Sequence, residues 1–259
     1  MTRSRSLAAL LLRIRPALLG QWIKRLLRWG RVEVQVADGR FWVDMASNFG
    51  IRVTSAEGYE PETKALLVSF LKPGMAFVDL GANEGFFSVI AARAVGPTGR
   101  VLAIEPQSRL GPVIRRNLEL NDAANVTLAQ VAISAEAGVA EFNLAPDTNS
   151  GSSGLSRATR YANPTQSVRT LTLDLCLQEH SLTMVDVMKI DIEGYEYEAV
   201  LGAKELFRTL KVRRLLIEIH DKLLSARGLR PQDISDFLLS CGYERQERLG
   251  FEVYTSPHP

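Results

Sequence analysis

Three ionisable residues stand where apolar stretches of this chain end, a position that suits ligand binding and proton transfer. Glu105, Asp191 and His220 each directly follow a short apolar run. A carboxylate can accept hydrogen bonds from two adjacent hydroxyl groups, and a carboxylate or an imidazole can take a proton from an alcohol. These residues therefore predict a site that binds a diol and activates a hydroxyl, if the fold brings them together.

A glycine-containing segment, FVDLGANEGFFS at residues 77–88, predicts a ligand-binding turn between a strand and a helix. Gly81 and Gly85 would let the backbone approach a ligand, and the helix N-terminus would offer free N–H groups to a carboxylate. A dinucleotide motif, G-x-G-x-x-G, needs a glycine where Asn83 stands, and the acid Asp79 is unfavourable beside a diphosphate. The segment instead favours a ligand with one carboxylate and an ammonium group, both of which S-adenosyl-L-methionine (SAM) has.

Glu105 lies 20 residues after Gly85, a spacing that suits the acid binding a ribose on a sheet of this kind. Each hydrogen bond from a ribose hydroxyl to a carboxylate is worth roughly 1.5–3 kcal/mol. The glycine turn and Glu105 together predict an adenosyl ligand, whereas either feature alone is weak support. The predicted cofactor is therefore SAM.

The segment MKIDIEGYE at 188–196 predicts the reacting end of the site, because Asp191 and Glu193 follow an apolar strand. Methyl transfer from a sulfonium is an in-line displacement, and a base near the acceptor hydroxyl speeds it by roughly 10²–10⁴-fold. The candidate bases are Asp191, Glu193 and His220. Two alternatives remain open: Asp191 as the cap of the next helix, and His220 as a strand-end residue bonded to the backbone. Carboxylates could also hold Mg²⁺, but the chain has no metal-ligand spacing, so no metal is predicted.

The elements that must position these residues alternate between strands and helices from residue 76 onward. This alternation predicts parallel βαβ units with helices on both sheet faces, and so an α/β fold with a doubly wound, mostly parallel sheet. The predicted strands are 76–80, 101–104, 126–133, 139–144, 185–190, 215–219, 243–246 and 250–254, and the predicted helices are 60–71, 86–95, 108–120, 196–210 and 231–240. The loop 147–166, with Ser152, Ser153, Arg157 and Tyr161, predicts either a flexible surface segment or a loop that closes over the acceptor.

Residues 1–44 predict an extension that differs from the domain at 45–259. Apolar residues recur every three or four positions from Leu7 to Trp29, which predicts a basic amphipathic helix, and alternation around Asp38-Gly39 predicts a β-hairpin. The apolar run is too short, and too interrupted by arginine, to span a bilayer. Three interpretations of the helix follow: a cap on the domain or a contact in a homo-oligomer, a peripheral membrane contact through residues 1–31, and an export signal.

The distribution of charge argues against a nucleic-acid partner. Residues 1–31 carry eight Lys and Arg and no Asp or Glu, so in a chain of net charge +2 the remainder carries −6. A nucleic-acid-binding domain would concentrate positive charge on its binding face. With 46% hydrophobic and 23% charged residues the chain has a globular composition, and Cys176 and Cys241 predict reduced thiols in a cytoplasmic protein.

The strings DLGANEGFFS, IEPQ, KIDIEGYE and LIEIH, in this order and spacing, resemble the FkbM family of SAM-dependent methyltransferases over roughly residues 45–255. The resemblance implies a Rossmann-like class I methyltransferase fold and O-methylation of a hydroxyl on a small molecule, a sugar or other glycan, or a natural-product scaffold. Carried over by position, the methionine end of SAM would be lined by Asp79, Gly81, Asn83 and Gly85, the ribose held by Glu105, and the adenine flanked by Gln130, Val131 and Ala132.

Three other functions stand beside this one: N-methylation, binding of SAM without catalysis, and nicotinamide-dependent oxidation or reduction. The oxidoreductase is the least favoured of them, because Asp79 and Asn83 depart from the dinucleotide-binding motif. A module that binds without catalysis would retain SAM and transfer no methyl group to any acceptor.

Overall fold

The computed structural model describes residues 30–155 and 164–257 of the chain. The predicted amphipathic helix, and the loop residues Arg157 and Tyr161, lie outside the described residues.

A seven-stranded sheet forms the centre of the fold. Its strands are β3 (Ala76–Leu80), β4 (Arg100–Ile104), β5 (Val126–Ala129), β9 (Val185–Ile190), β10 (Val212–Ile217), β11 (Glu244–Arg248) and β12 (Phe251–Thr255). They lie side by side in the order β11-β12-β10-β9-β3-β4-β5. The pairs from β10 to β5 are parallel, and β12 runs antiparallel to both of its neighbours. The predicted doubly wound, mostly parallel α/β sheet is confirmed.

Helices cover both faces of this sheet, because alternate residues of each strand point to opposite sides. Val78 and Leu80 belong to the apolar layer on one face of the sheet, and Phe77 belongs to the layer on the other face. The helices are α1 (Asn48–Val53), α2 (Pro61–Phe70), α3 (Phe86–Val95), α4 (Gly111–Leu120), α5 (Leu173–Glu179), α6 (Glu196–Leu201), α7 (Lys204–Arg208), α8 (Asp221–Ala226) and α9 (Gln232–Ser240). Both layers are apolar, so the central strands are buried on two sides, as their near-continuous hydrophobic runs require.

A small second sheet corrects the strand that was predicted over 126–133. The chain leaves the central sheet after Ala129, and β6 (Ala132–Ile133) pairs instead with β8 (Thr165–Leu171), which also pairs with β7 (Gly138–Asn143). The single helix predicted over 196–210 is also wrong. It divides into α6 and α7 at Gly202, which lies so close to the chain at Ala135 that a Cβ would approach the Cα of Ala135 to 3.2 Å.

The predicted hairpin is formed by β1 (Val32–Val36) and β2 (Gly39–Val43), which pair antiparallel. Its Phe41 side chain is fully buried and lies 5.4 Å from the ring of Phe86, measured between centroids. The backbone N–H of Trp42 donates to Asn117 Oδ1 at 2.7 Å, which ties the hairpin to α4. The hairpin therefore packs beside the turn that precedes α3. Across residues 30–155 and 164–257, no helix has the length and apolarity needed to cross a membrane.

Candidate functional site

The turn between β3 and α3 fits tightly against the ends of the neighbouring strands. The N–H groups of Gly81 and Ala82 both donate to the carbonyl oxygen of Ile104, each at 3.1 Å. Gly81 has φ +90°, and a Cβ there would lie 1.9 Å from the carbonyl oxygen of Asp191. Glycine is therefore required at position 81, because the backbone is in the left-handed region and because the chain that follows β9 leaves no room for a side chain.

Glu105 directly follows β4 and lies on the wall of a pocket that opens above this turn. Its Oε2 accepts the N–H of Asn83 at 2.8 Å, and its Oε1 accepts the backbone N–H and the side-chain Nε2 of Gln107, both at 3.0 Å. Burial raises the pKa of Glu105 to about 7, against the opposing effect of these hydrogen bonds. A carboxylate offers roughly four acceptor positions, so the three bonds leave capacity for a further donor.

The adjoining wall of the pocket carries Val131 and Ala132 but not Gln130. The side chain of Gln130 accepts a hydrogen bond from Arg115 at 2.9 Å and lies so close to Gly111 that a Cβ there would meet it at 2.5 Å. The side chain of Gln130 is therefore directed to α4, whereas Val131 and Ala132 lie on the pocket wall. That these residues flank the adenine stays a prediction.

Asp79 also lies behind the pocket, although the resemblance placed it in contact with the cofactor. It is fully buried, its Oδ2 accepts the hydroxyl of Ser88 at 2.6 Å, and its Oδ1 accepts no hydrogen bond from the described residues. Burial raises the pKa of Asp79, and the charge of Lys189 opposes that rise. Asp79 is absent from the pocket wall, and its side chain is hydrogen-bonded to the first turn of α3.

The three candidate bases come together on the opposite side of the same pocket. His220 Nε2 lies 4.0 Å from Asp191 Oδ1 and 3.8 Å from Glu193 Oε2. Its other ring nitrogen, Nδ1, lies 2.9 Å from Oε1 of Glu196. Burial acts to lower the pKa of His220, but the hydrogen bond to Glu196 and the three nearby carboxylates raise it to about 9.

Lys189 and Glu196 are residues of this cluster that the sequence analysis missed. Lys189 is 2% exposed, and its Nζ donates to Asp191 Oδ2 at 2.9 Å. Burial opposes ionisation of Asp191, but the charge and the hydrogen bond of Lys189 hold the pKa of Asp191 below its usual value. A lysine inside an otherwise apolar strand was the available signal, because a buried ammonium group requires a partner.

Glu218 is a further acid on the pocket wall, next to the cluster. Burial raises its pKa, and the negative charge of Asp191 adds to that rise.

The segment 147–155 closes one side of the pocket. Ser150 Oγ donates to Asn83 Oδ1 at 2.9 Å, and Gln107 Nε2 donates to the carbonyl oxygen of Ser150 at 3.3 Å. Asn149, Gly151, Ser152, Ser153 and Leu155 contribute to the wall. The described part of the loop therefore lies on the pocket wall, and its closure over an acceptor stays a prediction.

The residues present fit SAM on three observations. Gly81 and Asn83 of the turn lie on the pocket wall, Glu105 has spare acceptor capacity, and Val131 and Ala132 form an apolar wall. Within the part of the chain that the structure describes, no three His, Cys, Asp or Glu side chains form a group that could hold a metal ion.

Comparison with known proteins agrees with this geometry. The methyltransferase FkbM domain matches residues 79–245. Methyltransferase sdnD of Sordaria araneosa is 29% identical over 184 residues, covering 60% of this chain and 68% of that protein. 2-O-methyltransferase NoeI of Sinorhizobium fredii is 28% identical over 219 residues, covering 76% of this chain and 87% of NoeI.

A third relative is much longer than this chain. AMB antimetabolite synthetase AmbE of Pseudomonas aeruginosa is 31% identical over 220 residues, which cover 69% of this chain but only 10% of AmbE. The chain therefore spans about a tenth of that relative. The family match covers well over half of the chain, and the fold and pocket agree with it. The chain belongs to the FkbM family of methyltransferases, with SAM as its cofactor.

Proposed function

We propose that this protein transfers the methyl group of SAM to a hydroxyl oxygen of a small molecule or glycan. One observation carries the proposal. Asp191, Glu193 and His220 converge within 4.0 Å on the wall of the pocket that also contains Glu105 and the glycine turn. A hydroxyl group placed between the two sides would meet both a methyl donor and a proton acceptor.

The cofactor would lie along the side formed by β3, β4 and the segment after β5. Gly81 and Asn83, which lie on the pocket wall, would hold the methionine end, with Glu105 at the ribose and Val131 and Ala132 at the adenine. Gly85 is absent from the wall: its φ is +82°, and a Cβ there would lie 3.2 Å from Cγ2 of Ile114, so its contact with the cofactor stays a prediction. Asp79 would act indirectly, through its hydrogen bond to Ser88 at the start of α3. When bound, SAM supplies an electrophilic methyl group on a sulfonium.

The residues of the opposite wall would orient the acceptor and remove its proton. Lys189 fixes Asp191 in its ionised form through a hydrogen bond of 2.9 Å, which keeps a negative oxygen beside the acceptor. Phe87 and Tyr59 pack at 6.1 Å between ring centroids and line the same pocket, so they would exclude water from the reacting groups. Orientation and a positioned base are the effects that displacement at a methyl group needs.

The charge of the pocket supports a neutral or cationic acceptor over a phosphorylated one. Among the described residues, the wall carries six acids, which include Glu105 and Glu84, and Glu84 is paired with Arg31. The basic residues on the described wall are Lys189 and His220. Like charges would repel a phosphodiester, so a nucleic-acid substrate is disfavoured. The name of NoeI, a 2-O-methyltransferase, supports oxygen as the methylated atom. Contact of residues 1–31 with a membrane or with a second copy of the chain stays a prediction.

The experiment is to incubate the purified protein with isotopically labelled SAM and separate pools of neutral glycans, amines and phosphorylated compounds. We expect label in a product that resists acid and base as a methyl ether does. Label on nitrogen would replace O-methylation by N-methylation, and bound SAM with no labelled product in any pool would indicate binding without catalysis. Asp191→Asn is the matched control, because it should bind SAM and label little.

A further inference from the structure

Glu196 is buried behind His220 and has no place on the pocket wall. It begins α6, and its Oε1 accepts the backbone N–H of Gly194 at 3.0 Å and lies 2.9 Å from His220 Nδ1. Its Oε2 is buried and accepts no hydrogen bond from the described residues. A fully buried carboxylate with one side unpaired depends on a positively charged neighbour, because desolvation of a lone anion is very costly.

The position of Glu196 also fixes the orientation of the imidazole. Because Nδ1 is directed at Glu196, Nε2 must face the pocket, where it lies 3.8 Å from Glu193 and 4.0 Å from Asp191. The groups facing His220 are acids from three elements: Glu196 from α6, Asp191 and Glu193 from the turn after β9, and Glu218 from the end of β10. Two cations approach these acids from outside the ring: Lys189 donates to Asp191, and Arg227 donates to the carbonyl oxygen of Gly194 and interacts electrostatically with Glu196.

We propose that Glu196 is a positioning residue that keeps His220 doubly protonated, so that its Nε2–H acts as a donor in the pocket and a carboxylate takes the acceptor's proton. This inference rests on the proposed function for its catalytic part and on geometry alone for the state of His220. The raised pKa of His220, to about 9, agrees with it.

The proton balance follows directly. An imidazole that already carries a proton on each nitrogen cannot accept another, so the acceptor's O–H bond breaks towards Asp191 or Glu193. The hydroxyl oxygen bonds to the methyl carbon as the carbon–sulfur bond breaks and leaves a thioether. The Nε2–H of His220 stays in place and stabilises the ionised carboxylates before the reaction.

The first test is an NMR titration of the histidine imidazoles in the full-length protein, with His220→Asn to assign the signal. We expect the His220 signal of the wild type to titrate near pH 9 and its nitrogen shifts at pH 7 to show both nitrogens protonated. In Glu196→Gln the midpoint should fall by more than about one unit. A wild-type midpoint at or below about 6.5 would overturn the proposal.

Two further variants make the titration specific. Glu198→Gln is the matched control: Glu198 lies on the same helix and pairs with Arg227, so its loss should leave the His220 midpoint nearly unchanged. Glu196→Asp keeps the charge and should retain most of the raised value. If Glu196→Gln and Glu198→Gln shift the midpoint equally, Glu196 has no special role. If Glu196→Gln does not fold, the titration midpoints of the wild type and of Glu196→Asp still test the proposal.

The pH dependence of turnover tests the catalytic part separately. A required imidazolium predicts that kcat declines as pH rises through about 9, and that Glu196→Gln moves this decline to lower pH. A neutral imidazole base would instead give a rate that rises through the same midpoint. If the titration gives the expected midpoints but no acceptor is methylated, the proposed function is wrong. The role of Glu196 in keeping His220 protonated then still stands.

Discussion

Replacing Glu105 with glutamine removes one negative charge from the centre of the proposed cofactor wall and preserves the size of the side chain. In the wild type, Oε2 accepts from Asn83 and Oε1 accepts twice from Gln107. Glutamine has a single acceptor oxygen, so its NH₂ group would face an N–H group on one of these sides. The substitution therefore weakens the contact to a ribose and also disturbs the turn at 81–85.

The magnitude follows from the strength of the bonds involved. A hydrogen bond to a charged acceptor is worth roughly 1.5–3 kcal/mol and a neutral one roughly 0.5–1.5 kcal/mol, so each ribose hydroxyl loses about 1.4 kcal/mol, or tenfold in affinity. We expect Glu105→Gln to weaken SAM binding at least about tenfold if one hydroxyl contacts the carboxylate, and about 100-fold if two do.

The same carboxyl group should make SAM affinity depend on pH. Burial raises the pKa of Glu105 to about 7 in the free protein, whereas hydroxyl donors favour its ionised form in the complex. Affinity should therefore be highest above pH 7 and fall as pH drops through that value, by up to about tenfold per unit. In Glu105→Gln this dependence should disappear.

Calorimetric titration with S-adenosylhomocysteine, between about pH 5.5 and about pH 8.5, measures both effects. Asp191→Asn serves as the control, because it lies in the same pocket at the opposite wall and should keep the affinity of the wild type. An unchanged affinity in well-folded Glu105→Gln, or an equal loss in Asp191→Asn, would refute the assignment of Glu105 to the ribose.

Three other predictions follow from single contacts. Gly81→Ala places a Cβ 1.9 Å from the carbonyl oxygen of Asp191 at φ +90°, so thermal melting should show a free energy of unfolding lower by at least about 2 kcal/mol. The control Gly138→Ala, whose Cβ would lie 3.7 Å from Thr170, should lower the stability much less. Asp191→Asn should lower kcat by roughly 10²-fold or more with SAM affinity almost unchanged, measured by steady-state kinetics on any identified acceptor; equal rates would exclude Asp191 as a base. Arg31→Met removes the arginine that donates two hydrogen bonds, of 2.6 Å and 3.2 Å, to the buried carboxylate of Glu84, so denaturant unfolding should show a free energy of unfolding lower by about 3 kcal/mol. Adding Glu84→Gln should restore part of this loss, and additive losses in the double variant would exclude the coupling.

The sequence was most informative about those strands and helices that are continuous apolar runs. The strands at 76–80 and 185–190 and the helix at 86–95 match the structure, because continuous apolar runs bounded by glycine turns have few alternative conformations. The strand Thr165–Leu171 was missed, since it is half-exposed and carries polar side chains at most positions. Its pairing with the two-residue strand β6 is a long-range contact that local periodicity does not report.

The site was harder to predict than the fold, because its charges are balanced between strands. Asp79 and Lys189 are partners across β3 and β9, so the lysine that stabilises the buried acid is 110 residues away in the chain. The motif alone placed Asp79 at the ligand, whereas strand alternation turns it towards the α3 side of the sheet. The protonation of His220 likewise depends on Glu196, which only the path of the chain through α6 brings to 2.9 Å.

The central claim is that the pocket above Gly81 binds SAM with its ribose at Glu105 and its methyl group towards Asp191 and His220. A crystal structure of the protein with S-adenosylhomocysteine tests this most directly. We expect the ribose hydroxyls within hydrogen-bond distance of Glu105, the adenine against Val131 and Ala132, and the sulfur atom facing the Asp191 side. A ligand bound elsewhere, or bound here with its ribose away from Glu105, would contradict the account.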